Sequence, residues 1–283
     1  MYLCAKPYYM ILRPPISPKP AAWLRPFWIV LLSLSALFVA CEKEVEIDLP
    51  PIESELVVEC YLTPGYPYVL SLSETVSYFE LLEQPLVSNA LVTITHNGIA
   101  DTLQYIDSIG IYISPRIVAP NDTGAYYLYV NDTADNRTAT AVAKLLPMVP
   151  IDTVIYFKND SAKASILTYF SDDSLSTNYY RYYVARLGES GPDSLLSRSF
   201  SDLIFSGQTI VTGTAYDYPV GNEVLVRIYN ISREYYDFLE TAERATFATQ
   251  GTFSRPARLI SNIAGGTGIF TVMSYDERRI MIE

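Results

Sequence analysis

One histidine, His96, stands among 31 acidic and 20 basic residues in a chain of 283. A Ser-His-Asp device or an imidazole-based zinc site would have to be assembled around that single ring. It directly precedes Asn97-Gly98, a turn that leaves a polar ring solvated, and no nucleophile elbow marks a serine to partner it. Gly265-Gly266-Thr267-Gly268 has the composition of a phosphate cradle. No Lys-Ser/Thr follows it, and the next segment reads as a strand, so the helix dipole that would hold phosphate is missing and a tight loop is expected. The acidic loops Asn131-Asp132-Thr133-Ala134-Asp135-Asn136 and Ser171-Asp172-Asp173 offer oxygens to Ca²⁺, which wants about six to eight of them. They fall short unless loops converge. Paired carboxylates for glycoside hydrolysis stay open, because their separation is invisible in a sequence. No catalytic residue, metal ligand or cofactor is therefore assigned. Tyr179, Tyr180, Tyr182 and Tyr183 place rings on both faces of one strand, and exposed tyrosines stack on sugars or anchor protein interfaces. These four are the candidate ligand or partner surface, with core packing as the alternative.

The elements that would position these groups are mostly strands. Twenty-four Tyr against two Trp suit half-buried strands, where the ring packs inward and the hydroxyl reaches water. Short β-type runs recur every eight to twelve residues or so, the rhythm of a sandwich. They include Glu55–Tyr61, Tyr68–Ser73 with Tyr68, Leu70 and Leu72 on one face, Ala90–His96 and Asp101–Ile106 joined through Asn97-Gly98, Gly124–Val130 and Thr138–Leu145. Pro147-Met148-Val149-Pro150 interrupts the rhythm and places a domain boundary there. Beyond it, Asp152–Phe157, Ser165–Phe170, Tyr179–Leu187 and Glu223–Ile231 read as strands of a second β-domain, and Ile269–Tyr275 with Arg279–Ile282 as a closing hairpin. One amphipathic helix is expected over 232–249, with Ser232 as its cap and Tyr235, Phe238, Leu239, Ala242 and Ala245 on its buried face. The fold class is mainly β: two β-sandwich-like, Ig-like domains at 55–147 and 148–283, the second with one helix.

The first 40 residues have a different character. They hold four basic residues (Lys6, Arg13, Lys19, Arg25) and no acidic one, and the apolar run Phe27–Ala40 is too short to span a bilayer, for which about 20 residues are needed. Residues 1–40 are expected to be a lipoprotein-type signal peptide. Val39-Ala40-Cys41 looks like the site at which a cysteine receives diacylglycerol and becomes the first residue of the mature chain, so Cys41 is the expected lipidation site. An uncleaved anchor helix, or an ordinary leader beside an incidental cysteine, is the alternative. Residues 41–54 form a lipidated acidic tether, either a surface-directing signal or a solvated linker. Without the leader, 16 basic residues face 31 acidic ones, a balance that repels nucleic acid. Cys60 then stands in a strand as a buried structural thiol.

Ile231-Ser232-Arg233-Glu234-Tyr235-Tyr236 and Asn262-Ile263-Ala264-Gly265-Gly266-Thr267-Gly268-Ile269-Phe270 resemble two signatures of an uncharacterised Bacteroidetes lipoprotein family, known only as a domain of unknown function. Cys41 with its acidic followers, Pro50-Pro51 and Leu56-Val57-Val58-Glu59 resembles the same family's N-terminus. Among the signature residues, Ser232, Tyr235, Asn262, Gly265, Gly266, Gly268 and Phe270 are read as structural. Members are often encoded beside TonB-dependent receptors. The resemblance thus implies a non-enzymatic accessory or ligand-binding lipoprotein of the outer membrane, facing the surface or the periplasm. Its partners would be the membrane, through the lipid, and such a receptor. A structural or adhesive surface lipoprotein and, less favoured, a carbohydrate-active enzyme are the alternatives.

Overall fold

A computed structural model describes residues 54–76, 84–173, 175–188, 191–250 and 258–283. The expected leader 1–40, the expected lipidation site Cys41 and residues 42–53 of the expected tether lie outside these. Among the described residues no helix is long and apolar enough to cross a membrane.

The chain opens with β1 (Leu56–Leu62) and β2 (Pro67–Glu74), whose alternation buries Leu56, Val58, Cys60 and Leu62 from one and Tyr68, Leu70 and Leu72 from the other. Each fully buried aliphatic of this kind contributes roughly 1.5–3 kcal/mol. The strands β3 (Leu91–His96) and β4 (Ile99–Ile106) form the expected hairpin, and both turn residues, Asn97 and Gly98, have positive φ, at 48° and 76°. β5 (Ile111–Ile117), β6 (Ala125–Asp132) and β7 (Arg137–Lys144) follow. β4 is a corner: Leu103 and the residues before it pair with β3, whereas Gln104–Ile106 pair with β5. The sheet thereby folds over itself into a sandwich around one core.

Beyond Pro147–Pro150 lie β8 (Ile151–Lys158), β9 (Lys163–Ser171), β10 (Tyr179–Gly188), β11 (Gly191–Ser201), β12 (Thr209–Gly213), β13 (Tyr218–Pro219) and β14 (Glu223–Ile231). The helix α1 (Arg233–Gln250) comes next, then β15 (Gly266–Val272) and β16 (Ser274–Met281). One layer runs β11-β10-β14-β16; the other is built on β9, with β8 along one side and β12 and β13 along the other. A second core fills the space between them. The molecule is therefore mainly β, sandwich-like, with one described helix.

Two expectations are corrected. Residues 269–275 do not turn back on 279–282 as a hairpin: β15 ends at Val272, leaves the second sandwich and pairs in parallel with β1, register Leu56↔Gly266 to Leu62↔Val272, while Ser274 and Tyr275 already belong to β16. Only β16 stays, against β14. The eight strands of the first sheet thus run β15-β1-β2-β5-β4-β3-β6-β7, and a stretch placed by sequence with 148–283 completes the sheet of 55–147. Phe270 and Val272 are buried in the first core, where a solvent-facing alternative would leave two large apolar groups wet. The segment just before β15 also meets β7, the sheet's other extreme strand, through reciprocal backbone bonds of 2.9 and 2.8 Å between Thr140 and Ala264. Second, many tyrosines lie deeper than half-buried. Tyr112, Tyr180 and Tyr182 are at most 1% exposed, and their hydroxyls are satisfied inside the protein by Val87 O, Asp172 and Thr168 respectively.

The helix α1 begins where Ser232 Oγ accepts the Tyr235 N–H at 3.3 Å, and Glu234 lies in its first turn. Tyr235 and Phe238 pack with Ile231, Ile269 and Met273, so the helix buries residues from β14 and β15 together and links the two sandwiches.

Candidate functional site

His96 departs from the sequence expectation first. Its ring is only 4% exposed, stacked on Tyr126 at 3.9 Å between centroids, because Gly124 leaves room for it: a Cβ there would lie 2.9 Å from Cε1. Nδ1 bonds to Ala125 O at 3.2 Å, and Nε2 lies 2.5 Å from Asp122 Oδ2 without the alignment of a straight hydrogen bond. Tyr126 also donates to Asp122, at 3.0 Å. Burial pushes the Asp122 carboxyl up, but the bonds from His96 and Tyr126 outweigh it and leave the pKa below the usual carboxylate range. Asp122 thus sits against both His96 and Tyr126, the other ring nitrogen bonds to backbone, and no serine or cysteine bonds to the ring among the described residues. This is a packed polar knot between β3 and β6.

The carboxylates do converge in one place. Glu74, Asp132 and Asp135 bring ligand oxygens within 4.8 Å of one another. A cation already stands among them: Arg137 Nη2 is 2.7, 2.6 and 2.9 Å from the three. The Arg137 hydrogen bond holds the Glu74 carboxyl below its ordinary pKa. The cluster fastens the start of β7 to the end of β2, and the guanidinium occupies the space a Ca²⁺ would need. The other acidic loop is likewise committed: Asp172 accepts from Tyr180, Asn178 and the Gly207 N–H.

The four tyrosines of β10 divide by the period of the strand. Tyr180 and Tyr182 are 0% exposed in the second core and cannot present a surface, which corrects half of that candidate patch. Tyr179 and Tyr183 face the other side, half-buried, Tyr179 against Tyr236 of α1 and Tyr183 beneath the Arg227 guanidinium.

The family-signature residues hold β15 in place. Gly265 and Gly268 have φ of +84° and +113°, and a Cβ on them would strike the carbonyls of Thr138 and Val58. A Cβ on Gly266 would lie 2.5 Å from Leu56 O, also too close. Asn262 works as a stand-in strand: its Nδ2 donates to Phe270 O at 2.7 Å, and its Oδ1 accepts the Phe270 N–H at 2.9 Å. Phe270 is 0% exposed, and Tyr235 packs on Tyr61 while bonding Arg181. Ser232 and Asn262 border a hollow of about 300 Å³ beside β7, but their polar groups are already engaged.

Two further hollows lie elsewhere, at β11. A groove of about 580 Å³ opens between β11 and β12, lined by Phe200, Leu203, Ile204, Phe205, Ile210 and Val211. Leu203 and Ile204 are 73% and 77% exposed, on a turn whose backbone is tied by Asp202 O and Phe205 O. Loops usually carry such residues only when something covers them. A second groove, about 340 Å³, lies between β11 and α1 and is lined by Arg181, Ser197, Ser199, Leu239, Ala242 and Glu243. Sequence reasoning passed over this region. The signal was Leu203-Ile204-Phe205, three large apolar residues in succession within the polar setting Ser201-Asp202 and Ser206-Gly207.

Among solved structures, the chain is similar in part to the FN1–FN3 domains of chicken CNTN1, at 12% identity and a TM-score of 0.28, over 61% of this chain and 57% of that one. A cytokine receptor complex matches at 10% identity and a TM-score of 0.24, over 62% of this chain and 89% of that one. The chain thus spans little more than half the length of the CNTN1 fragment. No curated protein sequence matches it significantly. The family model of a domain of unknown function, DUF4249, matches residues 42–279, and the chain belongs to that family.

Proposed function

We propose that the protein is a lipid-anchored, non-enzymatic component of the bacterial outer membrane that docks on, or captures ligand for, a TonB-dependent receptor. Its anchor would be the acylated Cys41, at the end of the apolar run Phe27–Ala40. Several acyl chains at about 0.8 kcal/mol per buried methylene hold a protein durably. The observation that carries docking rather than turnover is the pair of grooves at β11, the one toward β12 rimmed by the exposed Leu203, Ile204 and Phe205. The clusters with catalytic composition, around His96 and Arg137, have their polar groups engaged with one another.

Affinity capture of the tagged, natively expressed protein from detergent-solubilised outer membranes tests this reading. A TonB-dependent receptor recovered in near-equal amount supports it. Recovery of the protein alone, where a known receptor complex survives the same detergent, transfers the assignment to a free-standing structural or adhesive protein. The Cys41→Ala variant should lose lipid labelling and leave the membrane fraction; retention with unchanged mobility would refute the anchor.

A further inference from the structure

The two grooves at β11 adjoin along a single strand, for Arg198 and Ser199 line both of them. β11 stands at the end of its sheet and, among the described residues, pairs only with β10, with Tyr180↔Phe200 and Tyr182↔Arg198 in register. Tyr180 and Tyr182 point into the core, so Phe200 and Arg198 share that inner side, facing the apolar groove toward β12. Arg181↔Ser199 and Tyr183↔Ser197 put the serines on the outer side, under α1, where the second groove runs. The small serine side chains leave that trough open between the strand and Leu239 and Ala242 of the helix.

An unpaired sheet edge offers backbone donors and acceptors in a row, and a strand added to it sends alternate side chains to opposite faces. Here the two grooves meet along that edge, the apolar one reaching to β12 and the other running under α1. Natural edges are normally guarded by proline, charge or a bulge. β11 has Pro192 opposite a bulge at Arg186/Leu187, but only at its start. Over Ser197–Ser201 the one charge is Arg198, and its guanidinium is turned inward to Thr212 and Gly213 O of β12.

We propose that the edge of β11 binds an extended peptide segment of a partner protein as an added strand. Apolar side chains at alternate positions of that segment would enter the groove beside Leu203–Phe205, and small ones would enter the groove under α1. The charged residues lining the two grooves are Arg181, Arg198 and Glu243, a positive balance in a chain of formal net charge −11, so the segment is neutral or acidic. The assignment rests on the docking reading only for which protein supplies the strand.

The test uses the purified full chain in detergent and synthetic octapeptides, neutral or singly acidic, with large apolar residues at alternate positions. Scrambled peptides of the same composition and peptides N-methylated at successive backbone positions serve as comparisons. The alternating peptides should bind at least tenfold more tightly than the scrambled ones, and N-methylation should abolish binding in one phase of positions only. Ile204→Asp and Ala242→Trp should each weaken binding at least fivefold, whereas Ile109→Asp, at an exposed turn of the first sandwich, should not. Failure of every peptide to bind overturns the proposal. So does equal binding of scrambled or N-methylated peptides, or a β11-dependent dimer that excludes peptide. If Ile204→Asp still captures a receptor in wild-type amount, the edge assignment fails while the receptor role stands. If peptides bind but no receptor is captured, the receptor role fails and the edge assignment stands.

Discussion

β15 and β11 are both terminal strands of their sheets, and the protein treats them in opposite ways. On the side of β15 away from β1, the Asn262 amide supplies a donor and an acceptor to Phe270, and Ala264 just upstream is bonded to β7. Arg137 adds a second fastening, from β7 to Glu74 of β2. Among the described residues β11 has no such cover over Ser197–Ser201, and two grooves adjoin it there. The same chain therefore closes an edge where closure serves the fold. An open edge next to exposed leucine and isoleucine is consistent with a receiving surface, since unguarded edges invite pairing with other chains.

The largest way to break the closed edge is to keep β15 from approaching β1. Gly268→Val places a branched side chain against Val58 O at a φ of +113°, a backbone conformation open in practice only to glycine. The variant should not give a folded protein, and loss of the cooperative urea transition is the readout. Asn262→Ala leaves the fold reachable but strips Phe270 of both partners. Each unsatisfied buried group costs about 1–3 kcal/mol, so a destabilisation of at least about 1 kcal/mol is expected at unchanged m-value. A shift no larger than that of an exposed alanine substitution would mean that β15 is held without the Asn262 clamp.

A smaller effect should follow pH. Glu74 is held below its ordinary pKa by the Arg137 hydrogen bond, so the folded protein binds fewer protons there than the unfolded chain. Its contribution is present above the unfolded pKa, about 4.3 for Glu, and is lost as pH falls through the lower folded value. Wild type should exceed Glu74→Gln in urea midpoint near neutrality, and the difference should shrink between about pH 5 and pH 3. A pH-independent difference would show that the Glu74 carboxylate charge does not contribute.

Much of this arrangement was legible before any coordinates, and the illegible part has a common cause. Strands with a clean period of two, the Asn97-Gly98 hairpin and the helix from Ser232 announced themselves through local patterns. β5 contains Pro115 and β11 is rich in serine, so neither reads as a strand from its own residues. The partner of β15 is set by pairing with the opposite end of the chain, which no local window contains. The glycines of the signature hinted at close backbone approach without naming the backbone approached. His96 was misplaced because its neighbour Asn97-Gly98 spoke for solvent, whereas Gly124 and Tyr126 made a slot for the ring. The β11 grooves went unseen because a groove is a relation between two strands and a helix.

The smallest expected effect is the most discriminating for the comparison. Ile204 is 77% exposed, so replacing it with Asp removes little buried area and creates no buried charge. Surface changes of that kind usually stay within about 0.5 kcal/mol, so Ile204→Asp should leave the urea midpoint nearly unchanged and improve solubility by breaking the apolar rim. Were the residue part of the fold's own support, the cost would approach the 2–5 kcal/mol or so of a damaged core. A stable, more soluble variant would place Leu203–Phe205 outside the folding energetics altogether. Residues that add nothing to stability and lower solubility persist at no benefit to the free protein, so such a result would leave binding as their physical justification.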